Sequence, residues 1–237
     1  MSETSGRRQG GRNRPTAWVG FEEPAAPERV PLTRRRIVEA AVALVDGDGL
    51  AVLSFRRLAA ELAVTPMAIY GHVADKDQLL DLMLDYVLGE VDLSPAHPEP
   101  LVALRALILD VDRLFERHRG MARIYGGSVR LGPNGLRVID AVLGHLLAAG
   151  LRPKAAAAAF LDLYGYTVGH HQLGRVAPES PGAGEGGKAS PFLSALPAVE
   201  VPHLARAGRY LFSGPPRAER FERGLDLLLD GLRAAMD

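Results

Sequence analysis

From Thr33 onward, apolar residues recur three and four positions apart. Ile37, Ala40, Ala41, Leu44 and Val45 form one such face, which predicts an amphipathic helix. Thr33 suits its N-cap, and Gly47 and Gly49 punctuate its end. Ser54 can cap a second, short helix whose apolar side is Phe55, Leu58, Ala59 and Leu62. A turn follows at Ala63–Val64. Thr65 then caps a third helix that stops at Gly71, and Pro66 stands at the first helical position, where a missing N–H does no harm. Asp75 with Gln78 three residues on resembles a capping box and opens a fourth helix through about Gly89.

Pro95, Pro98 and Pro100 break the pattern. A fifth helix carries Leu101, Leu104, Ile108, Val111 and Phe115 on one side, until Gly120 interrupts it. A short segment at Met121–Tyr125 leads to Gly126–Gly127. The seventh helix starts at Pro133 or Asn134, carries Leu136, Ile139, Val142, Leu143, Leu146 and Leu147, and ends at Gly150. Pro153 opens an eighth, alanine-rich and then aromatic, through about Val176. Residues 177–190 read as a loop, 199–211 as a weaker helix, and Arg217–Ala235 as the last helix. No run alternates with a strand period. The expected fold is all-α: a three-helix head over 31–75, a connecting helix over 75–90, and a larger helical body over 91–237.

Residues 1–30 are rich in Gly, Pro, Arg and Glu without any period, and read as a disordered tail. Arg7, Arg8, Arg12 and Arg14 give it a basic start, suited either to touching phosphate or simply to solvation. There is no cysteine, so disulfides and thiolate metal sites are excluded, and the expectation is a cytoplasmic protein. No apolar run approaches the roughly 18 residues of a membrane span, so no membrane partner is expected. Formal net charge is zero. Even the head balances Arg34, Arg35, Arg36, Arg56, Arg57 and Lys76 against Glu39, Asp46, Asp48, Glu61, Asp75 and Asp77. Bulk charge therefore does not advertise nucleic-acid binding; charge placement and motif must carry it. No Gly-rich phosphate loop, nucleophile elbow or zinc pair at helical spacing is present, which argues against an enzyme.

Two short capped helices across a tight turn, followed by a long helix, have the logic of a helix-turn-helix, whose second helix enters the major groove. The stretch Phe55-Arg-Arg-Leu-Ala-Ala-Glu-Leu-Ala-Val-Thr-Pro-Met-Ala-Ile-Tyr-Gly-His-Val, followed by Asp75-Lys-Asp-Gln-Leu-Leu, resembles the DNA-binding head of the TetR family of transcriptional regulators. The specific part is Ile69-Tyr70-x-His72-Val73-x-x-Lys76. Gly132-Pro-Asn-Gly, Gly169-His-His-Gln-Leu-Gly and Phe221-x-x-Gly-Leu-Asp-Leu-Leu-Leu-Asp-Gly-Leu more loosely resemble the C-terminal domain of the tetracycline-repressor branch.

By position, the resemblance implies that Thr65, Pro66 and Met67 lie against bases. Tyr70, His72 and Lys76 would meet the backbone, and Arg56, with Arg57 and Ser54 as weaker candidates, a phosphate or guanine. Arginine suits guanine O6 and N7. Each has a plainer reading: Tyr70 as core, His72 as a turn residue, the arginines as a solvated face, Thr65 and Pro66 as cap chemistry alone. Ala63 stands where the family often has Gly, and a left-handed conformation there costs about 1 kcal/mol.

For the body, the resemblance implies a homodimer through the eighth and last helices, set on a pseudo-palindromic operator. Phe221, Gly224, Leu225, Leu228 and Leu232 are the candidate interface; packing within the chain is the alternative. It also implies a small-molecule effector site. Its candidate walls are Leu107, Val111, Phe115, Leu143, Leu147, Phe160, Leu163 and Tyr164. Its polar candidates are Asp110, His118, Tyr125, Tyr166, Thr167, His170, His171 and Gln172. His170 and His171 read equally as satisfied core residues. The tetracycline repressor holds a magnesium-chelated drug with a histidine where this chain has Tyr125, and phenol is a poor magnesium ligand; no metal or cofactor is expected. The function so implied is a ligand-released repressor. The alternative is a helix-turn-helix regulator, repressor or activator, without a ligand.

Overall fold

Side-chain caps set the element boundaries in the first half of the chain. Thr33 Oγ1 accepts the Arg36 N–H at 3.2 Å and opens α1 (Arg34–Asp48). After a single 3-10 turn at Leu50–Val52, Ser54 Oγ accepts the Arg57 N–H at 3.2 Å and opens α2 (Phe55–Glu61). Thr65 Oγ1 accepts the Ala68 N–H at 3.3 Å, with Pro66 first in α3 (Pro66–Tyr70). Asp75 Oδ1 accepts the Gln78 N–H at 2.7 Å and opens α4 (Lys76–Leu88). Gln78 answers by accepting the Ala74 N–H, one residue upstream of the usual capping-box donor. Ala63, in the turn between α2 and α3, has φ 53, the left-handed conformation.

The body follows as α5 (Pro100–Arg117), α6 (Met121–Tyr125), α7 (Pro133–Ala148), α8 (Pro153–Leu173), α9 (Pro202–Phe212) and α10 (Arg217–Ala234). The coordinates are a computed structural model that describes residues 31–94, 97–125, 131–173, 200–212 and 215–236. Among these no strand occurs. The expected tail over 1–30, the loop over 177–190 and the last residues of the eighth helix lie outside the described residues, as does the Tyr125 side chain. Glu99 was not anticipated as a cap: its carboxylate accepts the N–H groups of Leu101 and Val102 at 3.1 and 2.7 Å and starts α5.

Ile37, Leu58, Ile69 and Leu79 are sealed within the head, and Leu104, Phe115, Leu146, Leu163 and Phe221 within the body. Met83, Leu84 and Val87 on α4 belong to the same apolar cluster, so head and body share one continuous core. α4 packs on α1 to one side and on α5, α6 and α7 to the other. It is therefore in contact with both the head and the body. No described helix is long and apolar enough to cross a membrane.

Candidate nucleic-acid interface and effector site

α3 has five residues, of which only Ile69 is sealed in the core. That single anchor, with the α2 contact, holds the helix and leaves its leading end outward. Thr65 and Pro66 are exposed, and Met67 is 76% exposed. A thioether so open to water has no packing role in its own chain; it is available to an apolar partner such as a thymine methyl. Tyr70 is 52% exposed, and its ring meets Phe55 edge-on at 4.7 Å. The ring packs on one neighbour, while much of the side chain faces solvent.

The cations around α3 differ in freedom. Arg56 is exposed, and among the described residues no ion pair involves it. Arg57 reaches Asp48 at a marginal 3.5 Å, both half exposed, a contact of little strength. Lys76 donates from Nζ to the Leu53 carbonyl at 2.9 Å, bracing the start of α4 against the start of α2. Its other two protons are free for phosphate. The His72 carbonyl accepts from Arg34 Nε at 3.1 Å, tying α1 to the α3–α4 turn, with the imidazole half-buried. Thr65 at the cap of α3, Met67 and Tyr70 along it, Arg56 on α2 and Lys76 at the start of α4 are all exposed. Backbone N–H groups at a helix start favour phosphate.

The body distributes its polar candidates differently. Asp110 lies off the apolar arc of α5; it accepts the Asp92 N–H at 3.2 Å and faces Arg113, so it braces the α4–α5 connection. His118 caps the end of α5 and sits at the seam with the head. Its Nδ1 is 2.6 Å from Asp46 on α1, and its Nε2 is 3.4 Å from Glu90 just past α4. Val111 and Phe115 are sealed in the core. Leu143 is partly buried, and Leu147 is 45% exposed on the outer side of α7.

On α8, Thr167 is buried and returns its hydroxyl to the Leu163 carbonyl at 2.8 Å. Tyr166 donates to the Phe221 carbonyl at 2.8 Å, and burial pushes its phenol above the ordinary range, keeping it a neutral donor. His170 donates from Nε2 to the Arg217 carbonyl at 3.2 Å. Burial, and then the Arg217 cation, hold its imidazole below the usual range.

His171 belongs to a charged node that the sequence reading missed. Asp112 Oδ1 is shared between Arg217 Nη2 at 2.6 Å and His171 Nε2 at 2.9 Å. Arg217 adds Nη1 to Asp112 Oδ2 at 3.3 Å and Nε to Glu116 at 2.9 Å. Asp112 and His171 are both buried, so the pair ties α5, α8 and the start of α10 where water cannot compete. A single carboxylate inside the stripe Ile108–Val111–Phe115 was the available signal. Among the described residues, no buried side-chain polar atom lacks a hydrogen-bond partner, and no cluster suits a metal ion.

Two open depressions lie instead where α4 ends beside α7. One, of about 330 Å³, is lined by Gly89, Asp92, Ser94, Asn134 and Arg137 among others. Its neighbour, of about 370 Å³, is lined by Leu93, Leu136, Arg137, Asp140 and Ala141.

The expected interface on α10 divides in two. Phe221 and Leu225 are sealed inside their own chain, and Phe221 stacks on Tyr166 at 5.2 Å. A Cβ on Gly224 would overlap the Tyr166 hydroxyl, so that glycine serves packing within the chain. A stripe with a 3.6 period has two edges, and the pattern alone does not say which edge the chain itself covers. Leu228 and Leu232 are half-buried at that edge, and Leu227 beyond them is 69% exposed. On α8, Leu161 is 63% exposed.

Comparison with known proteins follows the same division. Residues 37–83 match the family described as bacterial regulatory proteins, tetR family, and residues 103–236 match the tetracyclin repressor-like C-terminal domain. An HTH-type transcriptional regulator of Saccharopolyspora erythraea is 34% identical, over 86% of this chain and 85% of its own. The HTH-type transcriptional repressor DrrR1 of Streptomyces coeruleorubidus is 30% identical, over 98% of this chain and 88% of its own. The crystal structure of the TetR family protein ActR of Streptomyces coelicolor in complex with actinorhodin superposes with a TM-score of 0.77 at 32% identity. It covers 87% of this chain and 99% of ActR.

Proposed function

Because this chain belongs to the TetR family of bacterial regulatory proteins, with both the DNA-binding head and the tetracycline-repressor-like body, we propose that it is a dimeric repressor released from a pseudo-palindromic operator by a small-molecule effector. One observation carries the DNA half of this reading: the capped end of α3 turns Thr65, Pro66 and Met67 to solvent, with Tyr70 half exposed beside them. Thr65 and Met67 read bases, while Tyr70, Arg56 and two protons of Lys76 hold the backbone. A capped helix end of this kind positions; bidentate and apolar contacts to base edges specify.

The dimer forms where Leu161 of α8 and Leu227 of α10 are left outward, with Leu228 and Leu232 at the margin. Gly165, Gly169 and Gly231 have nothing within van der Waals reach of where a Cβ would stand, so a second pair of helices can approach closely. Two bodies joined there present two copies of α3 about one DNA turn apart.

The effector half rests on the family and on ActR, whose structure was solved with actinorhodin. One observation favours a second reading, a regulator without a ligand. Among the described residues every buried side-chain polar atom has a hydrogen-bond partner within the chain, and Val111, Phe115, Thr167 and His171 are buried in packing.

Two experiments test these halves. Selection from random duplex DNA should recover a pseudo-palindrome bound at least about a thousandfold more tightly than bulk DNA. Recovery of no preferred sequence would remove the regulator reading. Thermal shift against a panel of antibiotics and metabolites should then give a ligand that both raises the melting temperature and lowers affinity for the selected DNA. If every stabilising compound leaves DNA affinity unchanged, the ligand-free reading holds.

A further inference from the structure

α7 begins without a cap of its own. Gly132 stands at the N-cap and has no side chain to offer, and Pro133 at the first position has no N–H to satisfy. The next two donors, the N–H groups of Asn134 and Gly135, both go to Asp85 Oδ1 at 2.9 Å. Asp85 belongs to α4, so the cap of α7 is supplied by the helix that carries the head. The same helix start also caps α4: Asn134 Nδ2 donates to the Asp85 carbonyl at 3.0 Å, near the end of α4. A Cβ on Gly132 would overlap the Asp85 carboxylate, so only glycine leaves room for it there. The carboxylate also lies at the positive end of the α7 dipole.

We propose that Asp85 is a positioning residue for DNA recognition: its clasp on α7 fixes the tilt of α4, and through it the separation of the two α3 helices of a dimer. The inference rests on the regulator reading above and goes beyond it. α4 meets the core through apolar residues, Leu79, Met83, Leu84 and Val87, and apolar packing is non-directional. The clasp supplies direction. Hydrogen bonds of defined geometry, donated by the start of α7 to both the carboxylate and the carbonyl of Asp85 near the end of α4, favour one orientation of α4 against the body.

The test uses the full chain. It has no cysteine, so spin labels can be placed cleanly at Ala51→Cys in the head and Lys154→Cys at the start of α8, both exposed. Labelled chains are diluted in unlabelled ones, so only distances within a chain are read. The parent should give one narrow distance. Asp85→Ala and Gly132→Ala should each broaden the distribution by about twofold or more, as expected when α4 samples several orientations. Asp85→Asn keeps an oxygen acceptor and should fall between. On DNA selected with the parent, one base pair inserted between half-sites should cost the parent roughly tenfold in affinity, since dimer geometry fixes the spacing. In Asp85→Ala and Gly132→Ala that penalty should shrink to about twofold or less.

A residue that merely holds the fold together would lower the melting temperature and leave both the distance width and the spacing penalty unchanged; that result overturns the proposal. If Asp85→Ala does not fold, Gly132→Ala and Asp85→Asn decide by the same two readouts. If the parent selects no DNA, the regulator reading falls and takes the recognition role of Asp85 with it. If it selects DNA and the variants keep its spacing preference, the clasp alone falls.

Discussion

The head and the body handle polar and large side chains in opposite ways. Around α3, Thr65, Met67 and Tyr70 are turned outward from a helix that one sealed residue, Ile69, holds in place. In the body, Asp112, His171 and Arg217 are turned inward and satisfy one another. The lesson is that a polar residue inside a helical stripe is not evidence of a ligand until its partners are known. An exposed thioether on a capped helix end, by contrast, has little else to do than meet a partner.

The largest effect expected from this contrast is in the body. Asp112→Ala leaves Arg217 and His171 facing each other without their shared carboxylate. Loss of one partner from a buried ion pair costs about 3 kcal/mol, the low end of the range because Arg217 keeps some contact with water. Urea unfolding measures it; a loss under about 1 kcal/mol would mean that the node does not stabilise the body.

Next comes the head. Tyr70→Ala should keep the helical content and weaken binding to all DNA sequences by roughly tenfold, the worth of one backbone hydrogen bond with its packing. Some stability is lost with the Phe55 ring contact. A variant that loses stability and keeps its DNA affinity would make Tyr70 a core residue.

A smaller effect separates the regions by backbone rather than side chain. Ala63→Gly relieves the left-handed turn between α2 and α3 and should stabilise the protein by about 0.5–1 kcal/mol in the same unfolding assay. No gain would mean that the entropy of glycine in the unfolded chain offsets the relief.

The smallest is a pH effect in the body. Burial and Arg217 hold His170 below its unfolded value, so the unfolded chain binds the proton first. Stability contributed by neutral His170 is present above the unfolded value and is lost as pH falls from there toward the lowered folded value. His170→Gln should flatten the fall in urea midpoint between about pH 7.5 and 5.5. An identical fall in parent and variant would place the effect elsewhere.

The same contrast explains what could be read from sequence. The head is built from local rules: Thr33, Ser54, Thr65 and Asp75 cap the helices they precede, and within α3 Ile69 alone is buried, so both the boundaries and the exposed residues of α3 follow from spacing. In the body the helices were legible by period, but the fate of each polar residue depends on partners far along the chain. His118 meets Asp46 across 72 residues, and Arg217 meets Asp112 across 105. Asp85 was invisible for the same reason: its role is defined by two N–H groups that lie 49 and 50 residues on. The apolar period of α10 is legible in the sequence, but its division into a sealed edge of Phe221 and Leu225 and an outward Leu227 is set by packing against α8 and α5.

The most direct test of the central claim uses the absence of cysteine once more. A photoactivatable crosslinker carried on Met67→Cys should react with bases at two positions of the selected operator, about one helical turn apart and related by its dyad. The same reagent on Lys154→Cys should leave DNA unmodified. If the operator complex forms and the label at position 67 marks no base, the end of α3 is not the surface that reads DNA.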